Sequence, residues 1–261
     1  MAKIEIKNLL KYYHVSHKFD SKLLVLDKIS LNVGEGEFIA IVGPNGCGKT
    51  TLLKIIAGIE TYGGGEVLVD KKNPLDTKKI LIFQNYHDSL FPWLSCLDNI
   101  LFPFKLKANR EEFEKAKERL KNMLKNLKIN LPLENYPYKL SGGQQQLTAI
   151  LRAIIYQPDV ILMDEPFSSL SYEIRLFMEQ ILLQIREYKK PTILFVSHDI
   201  EEAIFLAKRV VIFSGLPAKI IQTVDIPFRY PRRRGLLLTK EFFEIKKKCL
   251  QIMKKGAEKR K

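Results

Sequence analysis

The chain has 261 residues, of which 46% are hydrophobic, so it can bury a substantial core and is not a disordered tail. Its longest apolar runs fall well short of the roughly 18 residues of a membrane span, and its charged start and scattered cysteines exclude a secretory signal and a disulfide framework, so we expect a cytosolic protein. The net charge of +14 leaves an anionic partner such as nucleic acid or an acidic membrane surface open.

Short apolar segments predict nine β-strands along the chain. Several are continuous apolar runs, which favours central strands covered on both faces of a largely parallel sheet and hence an α/β fold. The predicted strands are Lys3–Ile6, Ile29–Val33, Phe38–Val42, Glu66–Val69, Ile80–Phe83, Val160–Asp164, Thr192–Ser197, Arg209–Phe213 and Ile220–Asp225.

The region between Leu90 and Gln157 has a helical pattern instead. Asn109 is placed to cap a helix with Glu112 reaching back, and apolar residues follow at helical spacing. We interpret this region as an inserted helical lobe. The periodic apolar residues are Phe113, Ala116, Leu120, Leu124 and Leu127.

Much of the excess positive charge lies near the end of the sequence, in Arg232–Arg234 and the stretch KKKCLQIMKKGAEKRK. Such a run is typical of a solvated basic tail. The spacing also fits a helix with its lysines outward and one apolar face. The residues predicted for that face are Phe242, Phe243, Ile245, Leu250 and Met253.

A glycine-rich segment, GPNGCGKTT, lies between the predicted strand Phe38–Val42 and a predicted helix, Thr50–Ala57. It fits G-x-x-x-x-G-K-[ST], in which the glycines let backbone N–H groups point at one phosphate and the helix start adds its positive dipole end. We expect Lys49 to meet the β- and γ-phosphates and the Thr50 hydroxyl to be a ligand of Mg²⁺. The predicted phosphate-binding residues are Gly43, Pro44, Asn45, Gly46, Cys47, Gly48, Lys49, Thr50 and Thr51.

Polar residues stand where three other predicted strands end, and the carboxyl ends of parallel strands share one ligand-binding edge. We expect Asp164 to hold magnesium and Glu165 to polarise or deprotonate the attacking water, unless the two merely cap the next helix. His198 is expected to bond a γ-phosphate oxygen, although a histidine after a strand is usually a turn residue. Gln84 is expected to touch the magnesium or the attacking water.

The segment LSGGQ opens a predicted helix, Gln145–Tyr156. A serine and two glycines at a helix start make a second anion site in a chain that already has one for the phosphates. We interpret it as facing the γ-phosphate of a different copy, so that two chains close head to tail around two nucleotides. Its predicted nucleotide-binding residues are Ser141, Gly142, Gly143 and Gln144.

In order and spacing, GPNGCGKT, Gln84, LSGGQ, VILMDEP and His198 resemble the nucleotide-binding subunit of an ATP-binding cassette transporter over nearly the whole chain. The segments FPWLSCLDNI, DEPFSSL, SHDIEEAIFLAKRV and YPRRRG are similar to the nitrate, sulfonate and taurine importer group. The resemblance implies a P-loop ATPase core with an N-terminal antiparallel β region, and ATP with Mg²⁺ as cofactors. It also implies that Phe19 stacks on adenine, with Tyr12 and Tyr13 as rivals.

The resemblance further implies how the chain is organised and what it binds. The ATPase core is expected in 1–88 and 158–239, the helical subdomain with LSGGQ in 89–157 and the basic tail in 240–261. We expect a dimer at the cytoplasmic face of the membrane that drives a separate permease and acts indirectly with an external substrate-binding protein. No nucleic-acid partner is expected. The transported substrate is selected by other chains, so this sequence does not identify it.

The coupling surface is expected in the lobe. Phe91, Trp93 and Leu94 form an apolar cluster with a proline, which either makes a groove for a short permease helix or belongs to the core of the lobe.

Three positions depart from the family pattern: Ser171 replaces an expected aspartate, Leu147 a basic residue and Lys208 an acid. These departures leave open one alternative, that the chain is a nucleotide-sensing module with little turnover. The positive charge leaves open a second alternative, a soluble cassette ATPase that acts on nucleic acid. Against the latter, the chain has no long heptad coil, no second cassette and no aromatics interleaved with its basic tail.

Overall fold

The computed structural model describes residues 2–14, 22–85, 89–106 and 109–258. The strands are β1 (Ala2–His14), β2 (Lys22–Gly34), β3 (Phe38–Val42), β4 (Gly64–Val69), β5 (Lys79–Ile82), β6 (Val160–Asp164), β7 (Thr192–Ser197), β8 (Arg209–Phe213) and β9 (Ile220–Asp225). The helices are α1 (Lys49–Ala57), α2 (Cys96–Lys105), α3 (Arg110–Asn126), α4 (Gly142–Ile155), α5 (Tyr172–Lys189), α6 (Ile200–Leu206) and α7 (Lys240–Glu258).

The strands of the described residues form two sheets. An antiparallel sheet has the order β2-β1-β4, and a six-stranded sheet has the order β5-β6-β7-β3-β8-β9, in which β9 alone runs antiparallel to its neighbour. The predicted α/β fold, with its antiparallel N-terminal region and helical lobe, is confirmed.

The six-stranded sheet is covered on both faces because its central strands are apolar at every position. Along β3, the side chains of Phe38, Ala40 and Val42 enter one core cluster, which includes residues of α2 to α7. Ile39 and Ile41 enter a second cluster, which includes α1 and the antiparallel sheet. The alternation of successive side chains thus fixes α1 on the opposite face from the helical lobe.

The bounds of β3, β6, β7, β8 and β9 match the prediction at both ends, whereas β1 and β2 extend far beyond it. Those two strands pair with each other from Ala2 and Gly34 to His14 and Lys22. In β1 the apolar residues beyond Ile6 come in pairs between polar ones, whereas the apolar run Leu23–Leu26 of β2 was missed by the prediction. The prediction for β5 was wrong by one residue, since Phe83 lies outside the strand and is 41% exposed.

The lobe contains α2, α3 and α4. The predicted cap of α3 is confirmed, since the Asn109 carboxamide oxygen accepts from the Glu112 N–H at 3.1 Å. The Asn99 side chain is fully buried and donates to the carbonyls of Phe91, Leu94 and Ser95. This network fixes the turn before α2, and it presents Trp93 to solvent with 70% exposure, so the prediction that Trp93 belongs to the lobe core is wrong.

The C-terminal segment is not simply a solvated tail, because α7 packs on the core through Phe242 and Cys249, which are 2% and 0% exposed. The predicted helix is therefore correct but its apolar face was misplaced. Phe243 is 60% and Leu250 45% exposed. Ile245 and Met253 do contact the core, and Cys249, at helical spacing between them, completes the buried face.

Arg232 corrects the interpretation of the basic run. It is 5% exposed, and its Nη1 donates to the carbonyls of Ile204, Phe205 and Ala207 at 2.9 Å each. These carbonyls lie at the end of α6, where helix geometry leaves them without an internal donor. Burial lowers the pKa of Arg232 to about 10, still far above neutrality. One of the three arginines is thus a helix cap and not a surface cation.

We expect Arg232→Lys to destabilise the protein by about 2–4 kcal/mol, because one ammonium cannot bond the α6 carbonyls and also the Phe228 carbonyl, which accepts from Nε and Nη2. Arg233→Lys, next along the chain and exposed, is the matched control and should change the free energy of unfolding by less than about 0.5 kcal/mol. Urea denaturation of both variants measures the difference. Equal midpoints would contradict the capping role.

Candidate functional site

The loop between β3 and α1 turns tightly because of two glycines. Gly46 and Gly48 have φ angles of 73° and 108°, in the left-handed region. A Cβ on Gly48 would lie 2.9 Å from side-chain atoms of both Val25 and Leu26, so this position also needs the absence of a side chain. Helix α1 then begins without a side-chain cap among the described residues, which leaves its first N–H groups directed at the loop.

Lys49 is the cation of this loop and is only 5% exposed. Its Nζ donates to the carbonyls of Gly43 at 2.9 Å and Pro44 at 3.1 Å, and lies 3.9 Å from Glu165 Oε1. The ammonium is therefore held inside the turn and beside a carboxylate. Cys47 is buried within the same turn and, like Cys96 and Cys249, forms no disulfide.

Asp164, the last residue of β6, is 5% exposed and hydrogen-bonds with the Thr50 side chain. Burial raises the pKa of Asp164, and the Thr50 hydrogen bond opposes that shift. Gln84 lies on the cleft described below. A hydroxyl, a carboxylate and a carboxamide are the oxygen donors that suit Mg²⁺. The described residues hold no group of three His, Cys, Asp or Glu that could bind a metal, so phosphate oxygens and water would supply the remaining ligands.

Glu165 follows directly and has a φ of 44°, unusual for a residue with a side chain. Its N–H donates to the Val196 carbonyl at 2.9 Å, which anchors the turn to β7. Its Oε2 lies 2.9 Å from His198 Nδ1, while Oε1 faces Lys49. One carboxylate thus lies between the imidazole and the ammonium.

Gln84 is connected to the same group through a serine. Its Nε2 lies 3.5 Å from Ser168 Oγ, and Ser168 Oγ donates to the Glu165 carbonyl at 3.0 Å. The end of β5 is therefore linked to the turn after β6.

Lys49, Thr50, Gln84 and Glu165 border a cleft of about 470 Å³, whose lining does not include Asp164 or His198. One wall is formed by the glycine-rich loop and the other by apolar groups that the sequence analysis did not assign to the site. The loop side comprises Asn45, Gly46, Gly48, Lys49, Thr50, Thr51, Gln84 and Glu165, and the apolar side Tyr13, Leu23, Val25 and Leu216. Alternation along β2 would have placed Leu23 and Val25 on one face, but the predicted strand began only at Ile29.

Of the aromatic residues considered for adenine stacking, Tyr13 lines the cleft. Tyr12 lies against Gly63, where an added Cβ would meet its ring at 3.0 Å, and is not among the cleft residues. Phe19 lies outside the described residues. Successive residues of a strand point to opposite faces, so only one of the two tyrosines can face the cleft.

The LSGGQ segment is not among the cleft residues of its own chain. Ser141 and Gln144 cap each other at the start of α4, with the Ser141 N–H donating to Gln144 Oε1 at 2.9 Å. A Cβ on Gly143 would lie 2.5 Å from Ile174, so close packing against α5 explains that glycine. Ser141 itself is exposed. The structure therefore brings Lys49, Glu165 and His198 together and leaves the second predicted anion site apart.

Residues 26–168 match the family model described as ABC transporter. The chain is 37% identical over 255 residues to the aliphatic sulfonates import ATP-binding protein SsuB of Bacillus cereus, covering 97% of this chain and 96% of the relative. It is 39% identical over 232 residues to the spermidine/putrescine import ATP-binding protein PotA of Legionella pneumophila, covering 84% and 61%. A dimeric ATP-binding cassette in a post-hydrolysis state bound to ADP and Pi is 28% identical, with a TM-score of 0.72 and coverage of 87% and 100%.

We expect Tyr13→Ala to weaken ATP binding about tenfold or more, because stacking on an aromatic ring contributes roughly 1–3 kcal/mol per base. Tyr12→Ala is the matched control and should bind ATP as the parent does. Fluorescent ATP titration of both variants, together with Phe19→Ala, measures the difference. A loss confined to Phe19→Ala would assign the stacking role to that residue instead.

Proposed function

The chain belongs to the ABC transporter family, and we propose that it is the ATP-hydrolysing subunit of an importer, which pairs with a second copy around two ATP molecules and drives a separate membrane permease. The observation that carries the proposal is the position of Glu165 between Lys49 and His198 at the edge of the glycine-rich cleft.

In this function the cleft binds ATP. The N–H groups of the loop and of the start of α1 bind the phosphates, and Lys49 exchanges its carbonyl partners for phosphate oxygens. Tyr13 or Phe19 stacks on the base. Thr50, Asp164 and Gln84 would hold Mg²⁺, which supplies charge neutralisation between the β- and γ-phosphates.

Glu165 is proposed as the base that takes a proton from the attacking water. His198 Nδ1 lies 2.9 Å from this carboxylate, and we propose that the imidazole orients it and contacts a γ-phosphate oxygen. Gln84 reaches the same turn through Ser168, so the loss of the γ-phosphate can be transmitted to the end of β5.

Ser141, Gly142, Gly143 and Gln144 are proposed to complete the site of the other copy. Two observations support this: Ser141 is exposed at the start of α4, and the chain's own cleft is lined without these residues. The solved cassette that this chain resembles is a dimer. In such a pair, each nucleotide is enclosed by the loop of one copy and the serine-led turn of the other.

Among the helices of the described residues, none combines the length and apolar character that crossing a membrane needs. A permease is therefore proposed as a separate chain that binds the helical subdomain, residues 89–157, at the cytoplasmic face of the membrane. The exposed Trp93, whose ring lies 5.5 Å from that of Phe91, offers it a rigid apolar surface.

The core is assigned to 1–88 and 158–239, and 240–261 is a basic C-terminal segment.

For the substrate we propose a small anion such as a sulfonate, nitrate or taurine, delivered by an external binding protein. The SsuB relative and the segment FPWLSCLDNI support this class. A polyamine importer subunit has a similar identity to this chain, which fits a substrate choice made by other chains. In the nucleic-acid alternative, Arg232 and the face of α7 that packs on the core cannot serve as binding groups, because they are buried.

The three departures from the family pattern lie around this machinery. Leu147 is 4% exposed and packs in the core, so an apolar residue suits its position. Lys208 is exposed, and Ser171 precedes α5 without making a side-chain cap among the described residues. Turnover measured as phosphate release decides between a hydrolysing subunit and a nucleotide sensor.

The shared site predicts complementation between two inactive chains. Lys49→Ala removes the phosphate cation, and Ser141→Arg blocks the turn that faces the partner's nucleotide. In a mixed dimer one site carries both changes and the other carries neither. Mixing equal amounts should restore about a quarter of the parental phosphate release, since about half of the dimers are mixed and half of their sites are intact. No recovery, or full activity of Ser141→Arg alone, would contradict the shared site.

The permease surface is tested by pull-down. Trp93→Ala should reduce recovery of a co-expressed sulfonate-type permease by about tenfold, because a buried aromatic anchor dominates such interfaces. Tyr138→Ala is the matched control, since Tyr138 is also on the lobe and 72% exposed. Equal recovery of the two variants would move the docking surface elsewhere.

A further inference from the structure

Five residues, three of them buried and two half-buried, form a polar cluster beside His198. Arg175 and Glu179 come from α5, Ser197 and Asp199 flank the histidine, and Glu202 comes from α6. We call them the Arg175 cluster. Glu179, Ser197 and Glu202 are 4%, 2% and 7% exposed. A small cavity of about 50 Å³ is lined by Arg175, Ser197, Asp199, Glu202, His198 and Glu165, among others, so the cluster adjoins the candidate catalytic carboxylate.

The cluster fixes both sides of the histidine. Asp199 caps α6 by accepting the N–H groups of Glu201 at 2.9 Å and Glu202 at 3.4 Å. Its other oxygen accepts from Arg175 Nη1 at 2.8 Å, which ties the turn to α5. Before the histidine, Ser197 Oγ accepts from the Asp199 N–H at 2.9 Å and lies within hydrogen-bonding distance of Glu202 Oε2.

The Ser197 hydroxyl has one proton and two possible acceptors. It lies 3.4 Å from the Asp199 carbonyl as well as against Glu202. When Glu202 is protonated, its carboxyl donates to Ser197, and the hydroxyl proton is free for the Asp199 carbonyl. When Glu202 is ionised, the hydroxyl must donate to the carboxylate, so its bond to the Asp199 carbonyl is lost and only the bond from the Asp199 N–H remains. The two states therefore hold the His198 turn differently.

Burial gives both acids of the cluster unusual pKa values. Burial raises the pKa of Glu202 to about 8. The hydrogen bond from Ser197 opposes this shift, and the charges of Glu179 and Asp199 add to it. Burial also raises the pKa of Glu179 to about 7, with Arg175 opposing the shift. Further charges come from Arg234, before α7, and from Glu201, which pairs with Lys246 of α7. One close arginine faces three carboxyl groups, so the cluster retains a proton near neutrality.

We propose that Glu202 is a positioning residue for ATP hydrolysis, which in its protonated form acts through the Ser197 hydroxyl to hold His198 against Glu165. The proposal rests on the proposed function, since it assigns His198 and Glu165 to the reaction. Ionisation of Glu202 places a charge beside Asp199 and Glu179 and withdraws the bond to the Asp199 carbonyl. The turnover number consequently falls as the pH rises through about 8.

The first experiment is the pH profile of kcat for Glu202→Gln, in which the amide keeps the donor and cannot ionise. The parent should lose about tenfold between pH 7 and pH 9, as one ionisation near 8 requires, and the variant should lose less than about twofold. Glu201→Gln, exposed and adjacent, is the matched control and should follow the parent. An unchanged alkaline limb in Glu202→Gln, or a folded variant that is inactive at every pH, overturns the proposal.

Ser197→Ala tests the intermediary. It should lower kcat severalfold at constant KM for ATP and abolish the alkaline limb, because the hydroxyl is the connection to the turn. In the Ser197→Ala background, Glu202→Gln should no longer change the pH profile of kcat, because the hydroxyl through which Glu202 acts is absent. A parental alkaline limb in Ser197→Ala overturns the route through this hydroxyl.

A stability measurement separates this proposal from the proposed function. The Glu202 pKa lies at about 8 in the folded protein against an ordinary 4.5, so the folded state binds the extra proton between those values. The free energy of unfolding therefore falls as the pH rises through this window, and Glu202→Gln escapes the loss. The Tm of Glu202→Gln minus that of the parent should increase from pH 5 to 8 and level off above 9. A constant difference shows that Glu202 does not retain its proton in the folded protein, even in a chain without ATPase activity. An inactive parent with the expected Tm trend refutes the proposed function and leaves the buried acid in place.

Discussion

The site depends on one constraint: β6, β7 and β3 are adjacent, parallel and in register, so their carboxyl ends coincide. Val42 pairs with Ser197, and Asp164 pairs with Val196. The turns that follow must therefore share one small space, and each brings a different charge. The hydrogen bond from the Glu165 N–H to the Val196 carbonyl holds the unusual φ of Glu165, and with it the carboxylate between Lys49 and His198. The strain is local, and the sheet that opposes it is buried on both faces.

His198 is less securely placed by the sheet alone, because the element after it is the seven-residue helix α6. A helix of that length is marginal by itself. It is stabilised at both ends by charged side chains that match its dipole, Asp199 at the N-terminus and Arg232 at the C-terminus. The orientation of the imidazole is thus a property of this capped helix and of the α5 residues that contact it.

The sequence predicted the parts of the structure that burial dictates. The central strands and the glycine-rich loop were placed correctly because continuous apolar runs and required glycines mark them. Side-chain partners were not predictable in the same way. In the sequence, Arg232 looks like a surface charge until its neighbouring carbonyls are known. The predicted apolar face of α7 was rotated relative to the observed one, because Phe243 and Leu250 fit the helical period nearly as well as Cys249. The choice between Tyr12 and Tyr13 depended on the phase of β1, which a 13-residue strand with register shifts does not reveal.

The first turn of α5 connects the two predicted half-sites of one chain. Ile174 packs on Gly143 so closely that no side chain fits there, and Arg175, the next residue, donates to Asp199 beside His198. A displacement of the serine-led turn against the core must therefore either move this turn of α5 or open the contact with Gly143. Because packed interiors resist such gaps, we expect movement of α5 to be the less costly response, and the Arg175–Asp199 ion pair connects α5 to the residue that follows His198. The expected aspartate at position 171 is a serine in this chain, so α5 supplies a connection that does not require that carboxylate.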